Sequence, residues 1–138
     1  MKEEDIPGVS VRVKAVVTDS IVIFVFMISV TYLFEGIENV PDYAKMIAFI
    51  FIFLLYDPIF TSVFGGTIGH MMLGIRVKRK NNQQKNLFFL LAIIRFMVKV
   101  LLGWISLLTI YGNKKGQAIH DLLVGSVVLY AKQTTYKE

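Results

Sequence analysis

Four ionisable side chains stand inside or at the ends of long apolar runs: Asp19, Asp57, Arg95 and Lys99. A charge in the middle of hydrocarbon costs at least about 2.5–3.5 kcal/mol, so such residues either serve a function or are paired. Two chemistries fit. Carboxylates that change protonation make a path for protons or cations, and carboxylates fixed by arginine or lysine make a buried ionic brace. Arg12, Ala15 and Asp19 recur at i, i+3 and i+7 and share one helical face, with small Ala15 letting a second helix come close. Arg95 and Lys99, four apart, share a face in the same way. Asp57 precedes Pro58, which frees a carbonyl one turn earlier, near Leu54, and makes a polar spot there. His120 and Asp121 lie in "QAIHDLL", a short polar helix at the membrane surface. Neighbours on a helix point in different directions, so these two form no dyad by themselves.

The residue inventory excludes several classes. With no cysteine, disulfides, thiolate catalysis and cysteine-ligated metals are ruled out. The two histidines, His70 and His120, lack ligand spacing, so neither a metal nor a cofactor is expected. No phosphate loop is present, nor is Ser/His/Asp in a supporting context. The HD pair also lacks the further His and Asp of a metal phosphohydrolase. The chain is not expected to be an enzyme.

These charges need elements to position them. Of 138 residues, 55 % are apolar before glycine is counted, against about 45–50 % with glycine in soluble domains. The excess falls in blocks from Ala15 to Phe34, Met46 to Phe64 and Leu87 to Tyr111. Each is close to the roughly 20 residues a helix needs to cross hydrocarbon, which predicts spans over about 15–34, 44–64 and 87–111. The opening "MKEEDIPGVS" is acidic and no small-residue cleavage pattern follows the first block, so this span is expected to stay.

Loop charge gives orientation. "EGIENVPDYAK" holds three acids and one lysine, whereas 65–86 holds Arg76, Lys78, Arg79, Lys80 and Lys85 with no acid. The basic loop 65–86 therefore belongs in the cytoplasm, as does the N-terminus with Lys2, Arg12 and Lys14. The tail 112–138, with Lys114, Lys115, Lys132 and Lys137, also belongs inside, which a single crossing by 87–111 does not allow. Two arrangements follow: one crossing with Arg95 and Lys99 facing protein, or a kink near Gly103 and a re-entrant or interfacial return. The tail's charge favours the return. Tyr32, Phe34, Tyr43, Trp104 and Tyr111 read as interfacial belt residues. The net charge of +5 points to anionic lipid at the basic loop rather than to nucleic acid.

Glycines 65, 66, 69 and 74 allow tight turns and close backbone approach. After them "GIRVKRK" alternates apolar and basic residues like a half-exposed strand, and "VGSVVLYAK" is β-branched and too short to cross as a helix. Lone strands are unstable, so about 73–79 and 125–130 are expected to pair in the cytoplasm. The fold class is an all-α membrane protein: one domain over 1–138, a small bundle of three to four membrane segments with this small β pairing.

The segments "RVKAVVTD", "GGTIGHMMLGIRV" and "AIHDLLVGSVVL", in that order from Arg12 to Leu129, resemble the RDD family of small bacterial and archaeal membrane proteins, named for an arginine and two aspartates. The resemblance puts the family's arginine at Arg12, its first aspartate at Asp19 and its HD pair at His120 and Asp121. Its Thr-x-Gly motif falls on Thr67 and Gly69, followed by Gly74, and its later arginine on Arg95. Two departures stand out: His70 sits where a lysine is usual, and the basic residue before the HD pair is represented only by Lys114 or Lys115.

The resemblance implies that Arg12 and Asp19 face inward near the cytoplasmic surface, with Asp121 close to Arg12 or Arg95 as a charge pair. It implies a cytoplasmic (inner) membrane protein of a bacterium or archaeon. Some members have been connected with ion transport, notably sodium–proton exchange. The expectation is ion or proton-coupled transport, with Asp19 and Asp57 as carboxylates and Arg12, Arg95 and Asp121 as gate or counter-charges. Because three or four short crossings cannot enclose a pathway alone, a homo-oligomer or a partner membrane protein is expected. The alternative is a non-transporting scaffold or accessory subunit of a larger membrane complex.

Overall fold

The structure is a computed structural model that describes residues 5–114 and 116–131. Lys2, Lys115, Lys132 and Lys137, on which part of the orientation argument rests, lie outside the described residues.

Helix α1 (Val9–Glu35) begins about six residues before the apolar block, because Arg12 is part of the packed helix rather than its mouth. Its run of valine and isoleucine is indifferent helix material in water. In hydrocarbon, a helix is the form in which one segment satisfies all its own backbone groups. The hydroxyls on α1 follow the same logic: Thr18, Ser20, Ser29 and Thr31 each donate to the carbonyl four residues back, at 2.8–3.0 Å. Helix α2 (Asp42–Phe64) carries Pro58 inside it and stops at Gly65, whose φ of +75° leaves the helical region.

Among the described residues, α1 and α2 are the helices long and apolar enough to cross a membrane, each with a mean hydropathy of 2.1 over its best window. A soluble protein's core helix would pass the same test but be mostly buried; here 11 % and 22 % of those windows are buried. The remainder forms an apolar outer surface that includes Phe24, Leu33, Phe51 and Val63.

Two similar units follow. Helix α3 (Ile68–Met72) leads through Gly74, at φ +67°, into strand β1 (Ile75–Arg79). Later, α6 (Ile119–Val124) leads through Gly125, at φ +64°, into β2 (Ser126–Tyr130). In both, glycine adopts the left-handed conformation that ends a helix cheaply and turns the chain. The strands pair antiparallel, with Ile75 opposite Tyr130, Val77 opposite Val128 and Arg79 opposite Ser126. Ile75 and Val77 pack with Ala15 and Val128 in a buried cluster, while Arg76 and Lys78 are only half-buried. The period-two reading of 73–79 thus corresponds to a real strand with the expected partner.

The third apolar block does not form one helix. Helix α4 (Phe89–Leu102) ends at Gly103, where φ +51° and ψ −131° suit glycine, and the four-residue α5 (Ile105–Leu108) follows. At 1.5 Å per residue α4 covers roughly 21 Å, short of the roughly 30 Å of hydrocarbon.

Helix α3 lies close against α1 at one point. A Cβ on Gly69 would stand 2.3 Å from the Ala15 carbonyl oxygen and 2.8 Å from the Asp19 carboxyl carbon. Gly69→Ala should therefore lower stability by about 1–3 kcal/mol, read as a drop in the thermal unfolding midpoint of the detergent-purified protein. Gly8→Ala, with nothing within 4 Å of its added carbon, serves as the control and should melt close to wild type.

Candidate functional site

The residues buried on α1 are Arg12, Ala15 and Asp19, the face the spacing marks. Although they share that face, the two charged ones serve different clusters. Arg12 Nη1 donates to Asp121 Oδ2 at 2.7 Å and Nη2 to the Gly116 carbonyl at 2.5 Å. From the other side Arg95 Nε donates to Asp121 Oδ1 at 2.9 Å, and Ser126 Oγ adds a bond to the same oxygen at 3.1 Å. Asp121 is fully buried, and as the third residue of α6 it also takes the Ala118 N–H at 3.4 Å. Burial alone would push its carboxyl up, but the guanidinium groups of Arg95 and Arg12 hold it well below the usual carboxylate range.

Asp57 belongs to the same charged layer. Lys99 Nζ donates to its Oδ2 at 2.6 Å and Thr61 Oγ1 to its Oδ1 at 3.1 Å, while Arg95 Nη1 stands 3.7 Å away and acts as a charge rather than a donor. The expected pairing of an intramembrane carboxylate with Arg95 and Lys99 thus falls on Asp57 and not on Asp19.

Asp19 is held in another way. Tyr56 Oη and the Gly69 N–H each donate to Oδ1 at 2.8 Å, and Thr67 Oγ1 donates to Oδ2 at 2.6 Å. Among the described residues no lysine or arginine comes within 4.0 Å of it, and His70 Nδ1 stands 3.7 Å away. Because Thr67 spends its one proton on Asp19, its 2.5 Å contact with His70 Nδ1 requires the proton to sit on that nitrogen. The His70 backbone N–H fills the remaining lone pair of the hydroxyl at 3.3 Å. Burial first, and Arg95 and Lys99 as well, lower the His70 pKa, so the ring is neutral. Gly74 lies outside both clusters and serves to turn the chain into β1.

The two clusters meet at a cleft of about 310 Å³ between α1, α2, α4 and the start of α6, with Asp19, Asp57, Lys99 and His120 in its lining. His120 does not pair with its neighbour: its Nε2 is 3.7 Å from Asp121, while Ser106 Oγ contacts Nδ1 at 2.6 Å. Ser106, His120 and Asp121 stand in the order of a nucleophile, a base and an orienting acid. The chemistry does not follow, since Ser106 is fully buried and burial pushes the His120 imidazole down to about 3, a poor base at neutral pH.

Tyr56, Thr61, His70, Ser106 and Ser126 were not marked by spacing. Tyr56 looks like any aromatic of an apolar block, and hydroxyls carry no periodic signal. Thr61, four residues after Asp57, was the one within reach of a helical-face argument. Among the described residues no group of three or more His, Asp or Glu could hold a metal ion.

Comparison with known proteins gave a match between residues 6–125 and the model of the RDD family. No curated protein and no solved structure matched.

Removing the Asp121 charge leaves the buried Arg12 without its carboxylate and Arg95 with only the looser Asp57 contact at 3.7 Å. Asp121→Asn should cost about 3–5 kcal/mol in chemical unfolding, whereas Asp42→Asn, in the exposed 3.8 Å pair with Lys45, should unfold close to wild type. His120 makes stability depend on pH. Below its ordinary value of 6.5 the unfolded chain takes a proton that the folded chain refuses until about 3. Stability is therefore full above that window and falls within it as pH drops, by up to about 1.4 kcal/mol per pH unit. His120→Gln should flatten that slope in unfolding midpoints measured from pH 7 to 4.

Proposed function

Because the chain belongs to the RDD family, we propose that it is an integral membrane protein that moves protons in exchange for cations, with Asp19 taking up the charge. It acts in the cytoplasmic membrane, with the N-terminus, β1 and its basic loop on the cytoplasmic face near anionic headgroups. Residues 87–111 enter and return there, and several copies together complete the path.

The observation that supports this reading is the state of Asp19. It lines the cleft as a carboxylate held by neutral donors, with no arginine or lysine among the described residues to be displaced before it can accept a proton. The hydroxyl between it and His70 offers a route. A proton reaching His70 Nε2 lets the Nδ1 proton pass to Thr67 Oγ1, whose own proton passes to Asp19 Oδ2. Nothing else changes charge: the ring ends neutral with its proton on Nε2, and Asp19 ends protonated. The two contacts in that chain, 2.5 and 2.6 Å, are short enough for transfer.

A bracing role is favoured for Arg12, Arg95 and Asp121, because each is buried and fixed by charged hydrogen bonds. In that respect the scaffold reading describes one half of the charge layer.

In sealed vesicles with an internal pH dye, a gradient of the exchanged cation, tried as sodium, potassium and an organic ammonium ion in turn, should drive proton movement by the wild type. Asp19→Asn should abolish it, and Thr67→Val, which keeps the carboxylate but removes the relay, should slow it. Folded wild type that passes no protons under any gradient, or Asp19→Asn at wild-type rate, would overturn the reading in favour of a scaffold.

A further inference from the structure

The cleft is larger and more apolar than a proton or a bare ion requires. Its volume of about 310 Å³ falls at the lower end of small-molecule sites, which run from about 300 to 1,000 Å³. Phe53, Tyr56, Phe96 and Trp104 put four aromatic rings in its lining, with aliphatic side chains between them.

We infer that the cleft binds an organic ammonium ion, a cation with an apolar body, and that this is the cation Asp19 exchanges for a proton. The inference rests on the transport reading. Three observations carry it. The first is charge: of the two carboxylates in the lining, Asp57 is met by Lys99 and by Arg95 behind it, whereas Asp19 has no lysine or arginine within 4.0 Å among the described residues.

The second is coordination. A hard metal ion takes six or more oxygens, but the Asp19 oxygens already accept three bonds and those of Asp57 accept from Lys99 and Thr61. A quaternary ammonium asks for no lone pair. It needs an uncompensated charge nearby and aromatic faces, which attract it through their ring electrons. The third is access. Val100 and Trp104, in the lining, are 49 % and 60 % exposed on the apolar outer surface where α4 ends. An organic cation dissolved in the bilayer can therefore enter sideways, its charge passing between the rings toward Asp19.

Trp104 is the chain's one tryptophan, so its emission reports the cleft directly. The protein in phosphatidylcholine nanodiscs would be titrated with tetrapropylammonium, with sodium, and with an uncharged alcohol of the same bulk. Tetrapropylammonium should give a saturable change at concentrations where sodium gives none. Asp19→Asn should weaken it about tenfold or more. Val100→Phe, which narrows the mouth without touching the charge layer, should weaken it too and covers the case in which Asp19→Asn does not fold.

No change with tetrapropylammonium, an equal response to sodium, or equal binding of the alcohol would overturn the inference. Protein that moves protons in vesicles yet ignores tetrapropylammonium sinks this inference and leaves the transport reading standing. Protein that binds it but moves no protons keeps the site and overturns the exchange.

Discussion

A fully buried carboxylate stays ionised only if its charge is met on the spot, and Asp121 is met twice. Arg12 arrives from α1 and Arg95 from α4, while Ser126 of β2 closes the remaining side. Most of the architecture around it can be read as what brings those groups together. Helix α1 must extend past its apolar run to carry Arg12 inward, and α6 must start where its first turn can present Asp121. The left-handed Gly125 then turns the chain so that β2 runs back beside the same carboxylate and pairs with β1. Breaking such a pair costs far more than its formation contributes, because the surviving charge has no water to turn to.

Asp19 contrasts with Asp121 in how it is held. Both carboxylates are buried and fully hydrogen-bonded, yet one is clamped by guanidinium groups and the other is cradled by a phenol, a hydroxyl and a backbone N–H. Two like groups thus stand in unlike surroundings, one met by full positive charges and one by neutral donors. Asp57 lies between these extremes, tied to Lys99, whose side chain retains partial exposure.

The inward face of α1 was legible because helical period alone selects Arg12, Ala15 and Asp19, and the strands were legible because period two and β-branching selected "GIRV" and "SVVL". The sequence also marked Gly103 as a break, since a glycine interrupting an apolar block carries its own backbone freedom. The partner of each charge was not legible. Arg12 and Asp19 lie seven residues apart, about 10 Å along the helix, far enough for different elements to serve them. Which ones depends on where α3 and α6 dock, and no local pattern encodes that. Tyr56 shows the limit: its ring belongs to the apolar pattern, and only the fold turns its hydroxyl toward Asp19.

Arg12 and Asp121 are 109 residues apart in the chain. A ribosome delivers the arginine long before the aspartate exists, so α1 enters the bilayer with a cation that has nothing to bind. Until α6 emerges, that arginine lacks the carboxylate it pairs with, and its long apolar stem and terminal charge suit a boundary between lipid and water. Insertion and final assembly are thereby separated in time: the first helix is placed early, but its inner face is sealed only when the last short helix and strand arrive.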